Sequence, residues 1–148
     1  MAQYLLDTNV LLRTVGPPSA HRAAAVQAVN TLLSRGHDLL LAPQVLMEFW
    51  SVATRPVEVN GYGWTPRDTE AEVTRLLEQF PLVAETPEVF DEWLGLVSQH
   101  AVVGKQAHDA RIVAILKIHG IANLLTFNAD DFRVYGISVV SPESIPTA

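Results

Sequence analysis

Cysteine is absent from the 148 residues. That excludes disulfide staples, thiolate nucleophiles and cysteine-bound zinc centres. It also fits a reducing compartment, and a cytoplasmic location is the expectation. Basic residues are scarce: ten Lys and Arg against sixteen Asp and Glu leave a net charge of −6. A chain with this balance is not a general nucleic-acid binder, which would present a basic face. An enzyme acting on nucleic acid is not excluded, because carboxylates gathered around a cation are neutralised in the site. An acidic surface can also attract a basic protein partner. No apolar run reaches the roughly 18 residues of a membrane span, so no membrane association is expected. The opening MAQYLLDTNVLL has no basic segment and carries an acid within its apolar run, so it does not read as a signal peptide. The five histidines (His21, His37, His100, His108, His119) form no HxxxH pair, and a helix-borne histidine metal site is not expected. Repeats, linkers and low-complexity stretches are missing too, and the length fits a single domain over residues 1–148.

What is present is an alternation of short apolar runs with longer helical patterns. Residues 3–6 read as a buried strand ending at Asp7. Pro17, Pro18 and Ser19 precede an alanine-rich helix to about Arg35, stopped by Gly36. Residues 38–42 read as a second strand, followed by Pro43 as a first-turn residue and a helix to about Thr54. Residues 55–64, with Pro56, Asn60, Gly61 and Gly63, read as a loop. Thr65 is placed as the cap of a helix over 66–80, with Asp68 as its capping-box acid. Residues 82–84 form a candidate short strand, and Thr86 is placed as the cap of a helix over 87–99. A strongly apolar helix is expected from about Ala107 to His119, ending at Gly120. Residues 121–127 and 137–140 read as the last strands, and 141–148 as a poorly ordered tail. Strands alternating with helices imply an α/β fold with a mostly parallel sheet.

Four acidic signatures punctuate this pattern: Asp7 in LLDTNVLL, Glu48 in APQVLMEFW, Asp109 in HDARIVAI, and Asn128, Asp130 and Asp131 in LLTFNADDF. Each has an ordinary explanation. Asp7 can cap the following helix, and Glu48 can be a solvated helix edge. Asp109 can complement a helix dipole, and Asp130 and Asp131 can be turn residues. Together they point further. Asp7 falls at a strand's carboxyl end, where parallel sheets gather ligands. Thr8 and Asn9 follow it, able to orient the carboxylate. Each acid flanks an apolar run, and no basic residue accompanies the first two. Two like charges about 4 Å apart repel by about 4 kcal/mol at an effective dielectric of about 20. Converging carboxylates therefore take up protons or bind a cation, and all-oxygen donors favour Mg²⁺ or Mn²⁺ over zinc. A metal-dependent phosphodiesterase is the sharp reading. Arg13, Lys105 and Arg111 are near the motifs and either contact phosphates or balance neighbouring acids. His108 either donates to substrate or serves the helix start.

These ordered motifs resemble PIN-domain ribonucleases of the VapC toxin class, over nearly the whole chain. The resemblance implies a PIN-like three-layer α/β sandwich with a central, mostly parallel sheet. It implies Mg²⁺- or Mn²⁺-dependent hydrolysis of RNA. Asp7, Glu48 and Asp109 match the family's three metal-site acids. Thr126, Asn128, Asp131 and Phe132 match its T-x-N-x-x-D-F motif, with Asp131 as the fourth acid and Asn128 its amide. Asp130 occupies a position the motif leaves open. The implied partners are an RNA substrate and an antitoxin protein, whose apolar helix would use the apolar groove of the self-association surface and whose Arg would lie against the acid cluster.

Three other readings compete. A haloacid-dehalogenase-type phosphatase would want a second Asp where Asn9 stands. A receiver-type domain would want an acid pair near the first strand end and a late strand-end Lys, and Lys105 precedes a helix instead. A non-catalytic module with a PIN-like fold would keep the fold without the chemistry. A homodimer is also expected. Leu46, Phe49, Trp50, Val73, Leu76 and Leu77, with Val57, Val59, Tyr62 and Trp64 of the intervening loop, exceed what so small a domain readily buries.

Overall fold

A computed structural model describes residues 1–146. Four strands form one parallel sheet in the order β2-β1-β3-β4: β1 is Gln3–Leu6, β2 is Asp38–Leu40, β3 is Asn123–Leu125 and β4 is Ser138–Val140. Register is set by Leu5 opposite both Leu40 and Leu124. In β1, β2 and β3 consecutive leucines are buried, including Leu5, Leu6, Leu39, Leu40, Leu124 and Leu125. Burial on successive positions means both faces of the sheet are covered, which is why these strands read as continuous apolar runs and not as alternations.

Six helices cover the sheet: α1 (Thr8–Val15), α2 (Ala20–Ser34), α3 (Pro43–Thr54), α4 (Pro66–Gln79), α5 (Pro87–Gln99) and α6 (Gln106–His119). Their limits follow local chemistry. Ser19 Oγ accepts from the Arg22 amide at 3.0 Å, and Thr65 Oγ1 from the Asp68 amide at 3.1 Å, each satisfying an orphan first-turn donor. Pro43, Pro66 and Pro87 occupy first turns, where the missing N–H costs nothing. Gly120, at φ 65°, ends α6 in the left-handed region. In α2 the buried residues Ala25, Ala28, Val29 and Leu32 keep the spacing of one helical face. In α6 the run Ile112, Val113, Ala114, Ile115 and Leu116 is buried throughout, so this helix lies inside the molecule.

Several expectations are corrected. Thr86 precedes α5 but makes no capping bond; its hydroxyl is buried without a partner. Residues 82–84 do not form a strand. One bridge pairs Leu41 with Leu82, because Leu41 spends its amide on the Pro81 carbonyl and its carbonyl on the Val83 amide. The expected turn after β3 is a 3-10 helix, Ala129–Tyr135. The tail is ordered as far as it is described: a 3-10 turn spans Pro142–Ser144 and buries Pro142, and Arg35 donates to the Pro146 carbonyl at 2.7 Å. Residues 147 and 148 of the expected loose tail lie outside the described residues.

The chain leaves β1 for one neighbour, β2, and returns much later to its other neighbour, β3. The carboxyl ends of β1 and β3 are therefore the topological switch point, where a crevice opens in sheets of this kind. Asp7 follows β1 and Thr126 follows β3.

Candidate active site

Asp7 is the N-cap of α1, and its Oδ1 accepts from the Thr8 amide at 2.8 Å. The ordinary role and the functional one thus coexist in one residue. Its backbone amide continues the sheet by donating to the Leu125 carbonyl at 3.0 Å, which ties the carboxylate to the end of β3. Oδ2 accepts from the Thr126 hydroxyl at 2.8 Å and more distantly, at 3.4 Å, from Asn9 Nδ2. Thr126 is fully buried. Its oxygen also accepts from Asn9 Nδ2 and from the Asn128 amide, both at 3.0 Å. Asn9 closes the ring by accepting from the Phe127 amide at 3.1 Å. These bonds hold Asp7 in one orientation between the first and third strands.

Glu48 comes from the middle of α3. Its Oε2 accepts from the Thr8 hydroxyl at 2.8 Å, and its Oε1 from Gln44 Nε2 at 3.1 Å. Asp109 sits in the first turn of α6, half-buried. Asp131 lies in the first turn of the 3-10 helix and is exposed.

Electrostatics tie the four acids together. Burial raises the Asp7 pKa; the Thr126 and Thr8 hydrogen bonds oppose this, and the charges of Glu48 and Asp131 add to it. Burial, then Asp7, Asp131 and Glu48, push Asp109 up to about 6, partly offset by His108. None of the ion pairs among the described residues includes Asp7, Glu48, Asp109 or Asp131. The carboxylates thus influence one another with none of them held in an ion pair. Among the described residues, however, no three acid or imidazole groups are gathered closely enough to hold an ion as they stand. Thr8, Gln44 and Thr126 occupy lone pairs of Asp7 and Glu48. The donor set nevertheless suits a hard divalent cation: oxygen atoms only, uncompensated charge, and orientation by surrounding hydrogen bonds.

Asp130 points elsewhere. Its side chain is 83% exposed and pairs with Arg133 at 2.7 Å. Asn128 precedes the 3-10 helix without a side-chain capping bond. Arg111, a candidate phosphate contact, is bound to Glu85 and to Gln44. Arg13 and Lys105 are exposed, as is the His108 side chain. Gln44 was not legible as a site residue. The one available signal was its position, a helical turn before Glu48.

The PIN domain family profile matches residues 4–137. Ribonuclease VapC24 of Mycobacterium tuberculosis is 25% identical over 136 residues, which cover 91% of this chain and 92% of that protein. Among solved structures, M. tuberculosis VapC20, described as a sarcin-ricin loop cleaving toxin, superposes with a TM-score of 0.69 at 18% identity, over 97% of this chain and 99% of that one. A toxin-antitoxin complex from Klebsiella pneumoniae gives a TM-score of 0.67 at 21% identity, over 96% and 99%. VapBC2 from Rickettsia felis, bound to a DNA fragment from its promoter, gives 0.69 at 12%, over 94% and 98%. At these identities the superpositions establish the fold, an α/β sandwich around a parallel sheet. With the profile spanning most of the chain, from within β1 to the residue before β4, this protein belongs to the PIN domain family.

Proposed function

We propose that the chain, as a single domain, is a divalent-cation-dependent endoribonuclease and the toxin of a VapBC-type toxin–antitoxin pair. The observation that carries the reading is the mutual electrostatic influence of Asp7, Glu48, Asp109 and Asp131 beside the β1/β3 crevice, with none of the four in an ion pair among the described residues. The ribonuclease and antitoxin assignments draw on the VapC24 and VapBC relatives. Asp7, Asp109 and Asp131 would hold Mg²⁺ or Mn²⁺, with Glu48 beside them. Such an ion, when bound, polarises a phosphate oxygen and acidifies a water.

The chain's own residues supply the rest. Thr126 and Asn9 fix the orientation of Asp7. Glu48 is restrained on both oxygens and would take a proton from the attacking water. Attack in line at phosphorus would break the P–O3′ bond, leaving a 5′-phosphate and a 3′-hydroxyl.

The antitoxin would be a basic segment with an apolar helix. Met47 and Trp50 on α3, Leu77 on α4 and Leu82 remain exposed, and an apolar groove runs past Leu46, Met47, Trp50, Val73 and Leu82. Phe49 and Leu76, expected to contribute to such a surface, are in the core. We assign the remaining surface to self-association as a homodimer. Among the described residues no helix is long and apolar enough to cross a membrane, and a cytoplasmic site of action is part of the proposal.

One observation favours a non-catalytic PIN module: among the described residues there is no tight three-ligand cluster. Incubation with structured RNA in Mg²⁺ or Mn²⁺, against EDTA and against Asp7→Asn, separates the two readings. Cleavage lost in both controls supports the nuclease. Equal cleavage in all three, or none with either metal, overturns it.

A further inference from the structure

Gln44 and Glu48 are one helical turn apart on α3, and Gln44 is buried. The chemistry of its neighbours fixes the orientation of its amide. Arg111 can only donate, and its Nη1 donates to Gln44 Oε1 at 2.9 Å. The His108 carbonyl can only accept, and it receives Gln44 Nε2 at 2.9 Å. A flipped amide would set donor against donor and oxygen against oxygen. The remaining Nε2 hydrogen therefore serves Glu48 Oε1, at 3.1 Å. The other Arg111 nitrogen is engaged by Glu85, and the other Glu48 oxygen by the Thr8 hydroxyl at 2.8 Å. A continuous chain thus runs Glu85, Arg111, Gln44, Glu48, Thr8. It begins at the surface and ends beside Asp7, joining α6, α3 and α1.

We propose that Gln44, oriented by Arg111, is a positioning residue for Glu48, fixing the rotamer that turns the Glu48 carboxylate toward Asp7 and Asp109. The inference rests on the nuclease reading of the acid cluster and adds to it the device that sets the cluster's geometry. A purely structural amide would serve the His108 carbonyl and Arg111 alone; the third bond, to Glu48 Oε1, ties it to the acid. Arg111, bound to Gln44 and Glu85, is part of this device.

The test uses Gln44→Met, which keeps chain length and apolar volume, with thermal melts to confirm folding. Turnover of an RNA oligonucleotide should fall about 10–100-fold, the range for lost support around a metal-site ligand, while KM stays put. Mn²⁺ affinity by calorimetry should weaken by about tenfold or more. In a Glu48→Gln background the same replacement should change neither quantity, because the coupling runs through Glu48. Should Gln44→Met fail to fold, Arg111→Met frees the amide from outside the core and should lower turnover and Mn²⁺ affinity in the same direction. Wild-type turnover and Mn²⁺ affinity in the folded variant overturn the proposal, as does an equal loss in the Glu48→Gln background. If the wild-type chain binds Mn²⁺ but cleaves no RNA, the nuclease reading fails and the affinity cycle alone decides the role of Gln44. Neither binding nor cleavage overturns both.

Discussion

Replacing Asp109 with Asn should stabilise the metal-free protein near neutral pH, although Asp109 belongs to the candidate active site. The carboxyl is pushed from 3.8 up to about 6 by burial and by Asp7, Asp131 and Glu48. Its ionised form is thus disfavoured in the folded state relative to the unfolded one. Between those two values the native chain binds more protons than the unfolded chain, so stability falls as pH rises through this window. At about 1.4 kcal/mol per decade the displacement sets a ceiling of about 3 kcal/mol. Asp109 is only half-buried, and solvent screening brings the expectation to about 1 kcal/mol. For a chain of this size that is a rise of about 2–4 °C in Tm. Asn cannot ionise, so the gain should be present at pH 7.5 in EDTA and vanish near pH 4, where the wild-type acid is protonated. Saturating Mn²⁺ should reverse the order, because only the wild type retains the full ligand set. Thermal melts from pH 4 to 8, with EDTA and with Mn²⁺, measure both arms. A variant no more stable than wild type at pH 7.5 in EDTA, or a difference that grows as pH falls, would refute the electrostatic account.

Four further outcomes are expected. Asp7→Asn should abolish RNA cleavage and Glu48→Gln should lower it by about 100-fold or more, with melts showing intact folds; full activity of either under matched Mg²⁺ counts against the site. Asp131→Ala should cost far more activity than Asp130→Ala, since Asp131 acts on Asp7 and Asp109 whereas Asp130 is exposed and paired with Arg133; parallel kinetics of the two variants decide this. Gly61→Ala should destabilise by about 1–3 kcal/mol or more, because its Cβ would meet the Arg55 carbonyl oxygen, and urea titration reads that loss directly. Sedimentation at micromolar concentration should show a dimer that Trp50→Glu dissociates, and a monomeric wild type would remove α3 and α4 as the interface.

Local chemistry made much of the fold legible in the sequence. Paired leucines announced the buried strands, Ser19 and Thr65 the helix starts, and Gly120 a helix end, because each acts within a turn of its own position. Asp7 at a strand end was readable for the same reason. Where the sequence reading missed, partners were distant. Thr86 looks like a cap, but its hydroxyl is buried without a partner. The strand expected over 82–84 shrinks to one bridge because Leu41 divides its bonds between Pro81 and Val83. The tail is pinned by the buried Pro142 and by Arg35, which donates to the Pro146 carbonyl 111 residues away in the chain. The site divides in the same way. The acids and their order are sequence properties, and so is membership of a PIN-like fold. Only the tertiary structure showed that Asp130 is exposed and paired with Arg133 while Asp131 acts electrostatically on Asp7 and Asp109. Only it brought Thr8 to Glu48 across 40 residues and Gln44 to the His108 carbonyl across 64. A side chain's type and spacing are written locally, but its hydrogen-bond partner is set by the strand order and helix packing that the whole chain adopts.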